Sequence, residues 1–174
     1  GHAFGIPHAE TEGHAARLLS RPARLSPGDK PMADILHEFT IKAGAARVFE
    51  CMSTPAGLDQ WWTHYSSGEP GPGAAYALGF GPEYDWEARV TRYVKNEEFE
   101  LELSEAADDW LGTRVGFRLV PLGDHTQVSF WHSGWQAETH HFGRSSFCWA
   151  MYLRILRRYV ERGETVPYEQ RLDD

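Results

Sequence analysis

Apolar and polar side chains alternate from Ile35 to Lys42. Ile35, His37, Phe39 and Ile41 fall on one side, and Leu36, Glu38, Thr40 and Lys42 on the other. A period of two predicts a strand with one mixed face. The period then changes: Ala45, Val48, Phe49 and Met52 recur at helical spacing in AGAARVFECMS. Pro55 stops that helix and opens another, with Thr54 as its N-cap before PAGLDQWW. SSGEPGPG (66–73) is punctuated for a loop. Five extended segments follow at hairpin spacing, which predicts an antiparallel sheet. They are AAYALGFG, YDWEARVTRYV, EFELELSE, WLGTRVGFRLVPL and HTQVSFWHSGW. In EFELELSE the parity sets Phe99, Leu101 and Leu103 inward and Glu98, Glu100 and Glu102 outward, as a solvated row. The fourth segment groups Leu111, Thr113, Val115, Phe117 and Leu119; the fifth groups Thr126, Val128, Phe130 and His132. Gly123-Asp124 makes the turn between them.

One long amphipathic helix closes the pattern over 140–162. Phe142, Trp149, Leu153, Leu156 and Val160 form its apolar stripe, Phe147, Met151 and Ile155 widen it, and Gly163 caps it. At 1.5 Å per residue such a helix reaches ~30 Å, enough to span a curved sheet. The expected fold is therefore α+β. A curved six-stranded antiparallel sheet wraps the C-terminal helix, with two short helices after the first strand. Residues 32–163 make up this domain, with a leader (1–31) before it and a tail (164–174) after it. The leader lacks a sustained period, and Met32 reads as a natural start. Alternatively the leader is a structural arm, and an arm exchanged between two copies would give a homodimer.

Composition narrows the class. The 174 residues, 41% hydrophobic and 13% aromatic, suit one globular domain with an aromatic-rich core. The formal net charge is −8; the leader contributes four basic and three acidic groups, leaving −9 for the remainder. Such a surface repels phosphate backbones, so no nucleic-acid partner is expected; Arg154, Arg157, Arg158 and Arg162 read as a solvated helix face. No apolar run is long enough to cross a membrane. The two cysteines, Cys51 and Cys148, form no Cys-x-x-Cys motif, which points to a reducing, cytoplasmic setting.

The stretches ARVFECMSTPAGLDQWW and GDHTQVSFWHSGW, with the amphipathic helix before ERGE, resemble the SRPBCC (START-like, helix-grip) superfamily. More narrowly they resemble its branch homologous to the activator of heat-shock-protein-90 ATPase, over roughly residues 33–163. The resemblance implies an apolar cavity between the sheet and the long helix. It leaves the function open among carriers of small apolar molecules, polyketide cyclases and chaperone-activating modules, and it transfers no catalytic residue.

The residues themselves supply the candidates. Trp61 and Trp62 follow a short helix where polar residues usually stand, so one indole is expected at the core and one at the cavity mouth. Phe80, Trp86, Phe117 and Trp135 add aromatic walls. His132 lies on the inward face of its strand, either as a buried core histidine or as a group orienting a ligand, with Tyr76, Thr113 or Tyr152 as its partner. The leading expectation is a binding site for a small, largely apolar, aromatic or lipid-like ligand lined by Trp61, Trp62, Tyr76, Phe80, Trp86, Phe117, His132, Trp135 and Tyr152. A cyclase-, aromatase- or hydrolase-like enzyme in the same cavity is the alternative, short of inward carboxylates beyond Asp85 or Glu87. A chaperone-activating interaction module is the third class. No metal is expected, because His64, His132, His140, His141 and Cys148 lack ligand spacing. No cofactor is expected either, since GEPGPGAAYALG has prolines where a phosphate loop needs amide donors.

Overall fold

The first strand, β1 (Ala33–Ile41), keeps the predicted alternation: Ile35 and Ile41 are buried while Leu36 is 69% exposed. The structure, a computed structural model, describes residues 33–172. The leader, and with it the reading of Met32 as a start, lies outside the described residues.

Two short helices follow, α1 (Ala45–Ser53) and α2 (Pro55–Leu58). Thr54 joins them as predicted: its hydroxyl donates to Glu50 O at 2.7 Å and accepts from Gly57 N at 3.1 Å, with Pro55 opening α2. Gly57 is what lets α2 sit so close to α1. A Cβ there would meet Cys51 O at 2.4 Å, a backbone clash no rotamer relieves. That close approach also brings the Cys51 carbonyl within reach of the Trp61 indole.

The sheet is antiparallel and has seven strands, one more than expected. They are β1, β2 (Tyr65–Ser67), β3 (Ala75–Gly79), β4 (Asp85–Val94), β5 (Glu98–Glu105), β6 (Arg114–Leu122) and β7 (His125–Trp135), in the order β1-β7-β6-β5-β4-β3-β2. The extra strand, β2, is three residues long, too short to show a period. It pairs with β3 where Gly79 makes room for the Tyr65 ring.

Two glycines reset strand parity. Leu111, expected inward, is 53% exposed, because Gly112 (φ 77°) turns the chain ahead of β6 and Trp110 goes inside instead. In β7, Gly134 (φ 85°) inserts the step that swings Trp135 onto the face already occupied by His132.

The long helix, α3 (His140–Arg162), has the predicted limits. Thr139 caps its start by accepting from Phe142 N, and Gly163 ends it in the left-handed conformation (φ 69°). Trp149, Tyr152, Leu153, Ile155 and Leu156 pack toward the sheet. Phe147, expected to widen that stripe, is 69% exposed, since two positions along a helix rotate a side chain ~200° away from Trp149.

The segment after α3 folds back over the domain. Tyr168 donates to Phe80 O at 2.9 Å and its ring stacks on His64. Arg171, only 4% exposed, donates to the carbonyls of Asp59, Thr63 and Val166. This strap holds the connection from α2 to β2, which carries Trp61 and Trp62.

One outward residue is not solvated. Glu100, read as part of an exposed acidic row, is 3% exposed. It faces Gly116 across the β5–β6 pair, and Gly116 faces Trp131 across the next. With no side chain on Gly116, the Trp131 ring lies over it and donates to Glu100 Oε2 at 2.7 Å. Arg92 and Arg114 flank the carboxylate, and the Thr91 hydroxyl donates to its other oxygen.

Candidate functional site: an aromatic cluster under the long helix

The space between the sheet and α3 is occupied by rings in mutual contact. Trp62 lies 5.1 Å from Trp149 and 5.6 Å from Phe80, centroid to centroid; Phe80 meets Trp86 at 4.9 Å and Trp86 meets Trp110 at 5.2 Å. Trp110 touches the His132 ring at 4.4 Å, and His132 touches Trp135 at 4.8 Å. Trp61 adjoins both Trp62 and Trp149. The structure thus brings Trp61, Trp62, Phe80, Trp86, His132 and Trp135 into one cluster. Tyr76 and Phe117 belong to a neighbouring one, joined through Phe99 and edged by Phe49 and Tyr93. Tyr152 is buried on α3.

The expectation that one of the paired indoles stands at a mouth is corrected. Trp61 and Trp62 are 2% and 1% exposed. Trp61 donates to Cys51 O at 3.0 Å, so its N–H is spent within the α1–α2 junction. Trp62 Nε1 is buried with no partner among the described residues, and so is Trp135 Nε1.

His132 has its protonation decided by its neighbours. The Thr113 hydroxyl, at 2.6 Å from Trp110 O, donates to that carbonyl and therefore accepts from His132 Nε2 at 2.8 Å. Trp149 Nε1 donates to His132 Nδ1 at 3.1 Å. The proton sits on Nε2, the Nδ1 lone pair is taken, and complete burial pushes the imidazole well below the ordinary histidine range. Of the partners foreseen from sequence, Thr113 is the one found. A histidine so arranged has no lone pair left for a substrate proton. Asp85 and Glu87, the only carboxylates considered for this cavity, are both exposed.

The head of α3 carries a second histidine. His141 Nδ1 contacts Asp109 Oδ2, and its ring lies against Trp110 and Trp135. Asp109 sits beside Trp110 on the turn that Gly112 closes, so this contact ties the β5–β6 connection to α3. One helical turn further on, Ser145 is 1% exposed and its Oγ has no partner among the described residues. Sequence reading missed Trp110, Asp109 and Ser145. The signal for the first two was the turn at Gly112. For Ser145 it was its place four residues before Trp149 on the inward stripe.

With this geometry in hand, the comparisons with known proteins place the chain. The family described as activator of Hsp90 ATPase homolog 1-like protein matches residues 42–161. The chain belongs to that family. Among solved structures, the Aha1 dimer from Colwellia psychrerythraea is 27% identical, with a TM-score of 0.69, covering 76% of this chain and 98% of its own. Protein BH1534 of Bacillus halodurans is 23% identical with a TM-score of 0.63, over 74% of this chain and 97% of its own. CalU16 from Micromonospora echinospora shares the fold at 16% identity, with a TM-score of 0.60, over 80% of this chain and 83% of its own. No curated protein matches the chain at a significant level. As a member of this family, the domain has the helix-grip arrangement, and no helix among the described residues is long and apolar enough to cross a membrane.

Proposed function

We propose that the domain binds a small, largely apolar, aromatic molecule in a chamber that opens among the rings between the sheet and α3. The observation that carries this is the set of unpartnered polar atoms buried around it: Trp62 Nε1, Trp135 Nε1 and Ser145 Oγ. Each unpaired donor in a dry interior costs ~1–3 kcal/mol, so these three are a standing demand for an acceptor. The rings lie in mutual contact, so entry requires an indole to swing aside. Trp61 and Trp62 ride on a connection fastened by Arg171, and Trp110 on a turn fastened by Asp109. Binding fits the chamber better than catalysis at His132, whose two nitrogens are both engaged. A cytoplasmic setting suits Cys51 and Cys148, both buried free thiols whose pKa burial raises.

The test is native mass spectrometry of the full chain, followed by tryptophan-fluorescence titration with naphthalene-sized probes. A co-purified small molecule, or saturable binding in the micromolar range, is expected. No bound mass and no saturable response with any probe would refute the reading.

One observation favours a second reading, a chaperone-activating module. The outer face of α3 presents Arg154, Arg157, Arg158 and Arg162 around a groove of about 380 Å³ with Met151 and Glu161, on a chain of net charge −8. Such a groove suits an acidic protein surface. Charge reversal at Arg154 and Arg157 should abolish that association and leave small-molecule binding intact.

A further inference from the structure

Resting on the ligand-binding reading, we infer that the head of α3 is a subsite for a phenolic or enolic hydroxyl. Asp109 accepts hydrogen bonds only, so the contact with His141 fixes the proton on Nδ1. The ring's other nitrogen, Nε2, is the one that carries the lone pair in an uncharged imidazole, and it has no partner among the described residues. The Trp135 ring lies 5.8 Å from the His141 ring, and its buried Nε1–H is a donor without an acceptor. Ser145 stands one turn along the same helix face, its hydroxyl buried and unpartnered and able to play either part. The head of α3 therefore presents one strong acceptor, one obligate donor and one hydroxyl that adapts.

A ligand hydroxyl meets all three demands. It donates to His141 Nε2 and accepts from Trp135 Nε1 and from Ser145. A carbonyl or ether oxygen serves the donors but leaves Nε2 unmet. A carboxylate does the same and brings a negative charge toward Asp109. An ammonium group leaves the Trp135 donor unmet. The surroundings choose the rest of the molecule: Trp110 stacks on His141 and Trp135 meets Phe142 edge-on at 5.3 Å, so the hydroxyl is best carried on a flat ring.

Calorimetric titration of the full chain at pH 8 tests this with 2-naphthol, 2-methoxynaphthalene and 2-naphthoate. 2-Naphthol should bind at least about tenfold tighter than the methyl ether, which accepts but cannot donate. His141→Phe should remove that preference, naphthol and ether then binding that variant within about twofold of each other; Ser145→Ala should reduce the preference and provides the test if the first variant does not fold. Equal affinity of naphthol and ether in the unmutated protein would overturn the subsite while the chamber reading stands. Tighter binding of the naphthoate would overturn it equally. If none of the three binds, the chamber reading fails and the subsite with it.

Discussion

Replacing His132 with Gln should change how stability depends on pH more than it changes stability itself. The Gln side chain offers a carbonyl oxygen and an amide nitrogen that can take the places of Nδ1 and Nε2. It can therefore accept from Trp149 and donate to Thr113, as His132 does at 3.1 and 2.8 Å. At pH 7.5 the loss is one of shape, about 1–2 kcal/mol. The titration differs in kind. His132 is neutral in the fold because complete burial lowers its pKa well below the ordinary range, with the charge of nearby His141 adding to the effect. In the unfolded chain it takes up a proton around pH 6.5. The unfolded state then binds more protons, so the stability present above pH 6.5 falls away as the pH drops below it. The slope approaches ~1.4 kcal/mol per pH unit. For a histidine that stays neutral in the fold through pH 5.5, the wild-type protein should lose about 1.4 kcal/mol more than His132→Gln between pH 7.5 and 5.5. Urea unfolding at fixed ionic strength, followed by tryptophan emission, measures the gap at each pH. Every other titrating group is common to both proteins and cancels in the difference. Parallel stability curves across that range would refute the assignment of His132 as a buried neutral group.

Two further expectations concern polar groups that are buried although their positions suggest exposure. Glu100→Leu leaves the Trp131 indole and Thr91 hydroxyl without their acceptor and should cost about 1.5–3 kcal/mol in urea unfolding; adding Trp131→Phe should return part of it, and strict additivity would count against the bridge over Gly116. Arg171→Leu removes a fork that holds three carbonyls and should cost about 2–4 kcal/mol while shifting tryptophan emission, because the Trp61–Trp62 connection is released; a change in stability with unaltered emission would show that the strap does not control those indoles.

The elements that a period can describe were legible in the sequence. The alternation of β1, β5 and β7 and the apolar stripe of α3 are properties of many residues at once, so the fold and the limits 140–162 follow from them. What escaped depends on single residues that break a period. Parity counted through Gly112 puts Leu111 inside and hides Trp110; Trp135 is found through its aromatic character alone, since parity counted through Gly134 turns it outward. Parity also states a side without a depth. Glu100 does lie on the outer face, but it is buried because a glycine on the next strand lets a tryptophan two strands over lie across it. Most of the candidate residues were found because large aromatics declare themselves by composition. Their roles were not, since whether an indole N–H is spent, as in Trp61, or left over, as in Trp62, is decided by a carbonyl ten residues away in one case and by nothing near in sequence in the other.

The order β1-β7-β6-β5-β4-β3-β2 also sets the tempo of assembly. Strands β3 to β7 are joined by neighbour-to-neighbour turns, so a meander can form as the chain leaves the ribosome. β1 has to wait. Its partner is the last strand, with Ala33 opposite Trp135, and nine residues of chain with an apolar face stay unpaired until β7 has emerged. Closing so long a loop is slow, on the millisecond-to-second scale of proteins dominated by distant pairings. During that interval β1 is an uncovered sticky strand, and the face of β7 that carries His132 stays open to water until α3, which follows it in the chain, packs there. The buried imidazole network is therefore among the last parts of the molecule to set, and a nascent chain stalled between Ile41 and Trp135 would be the form most exposed to aggregation.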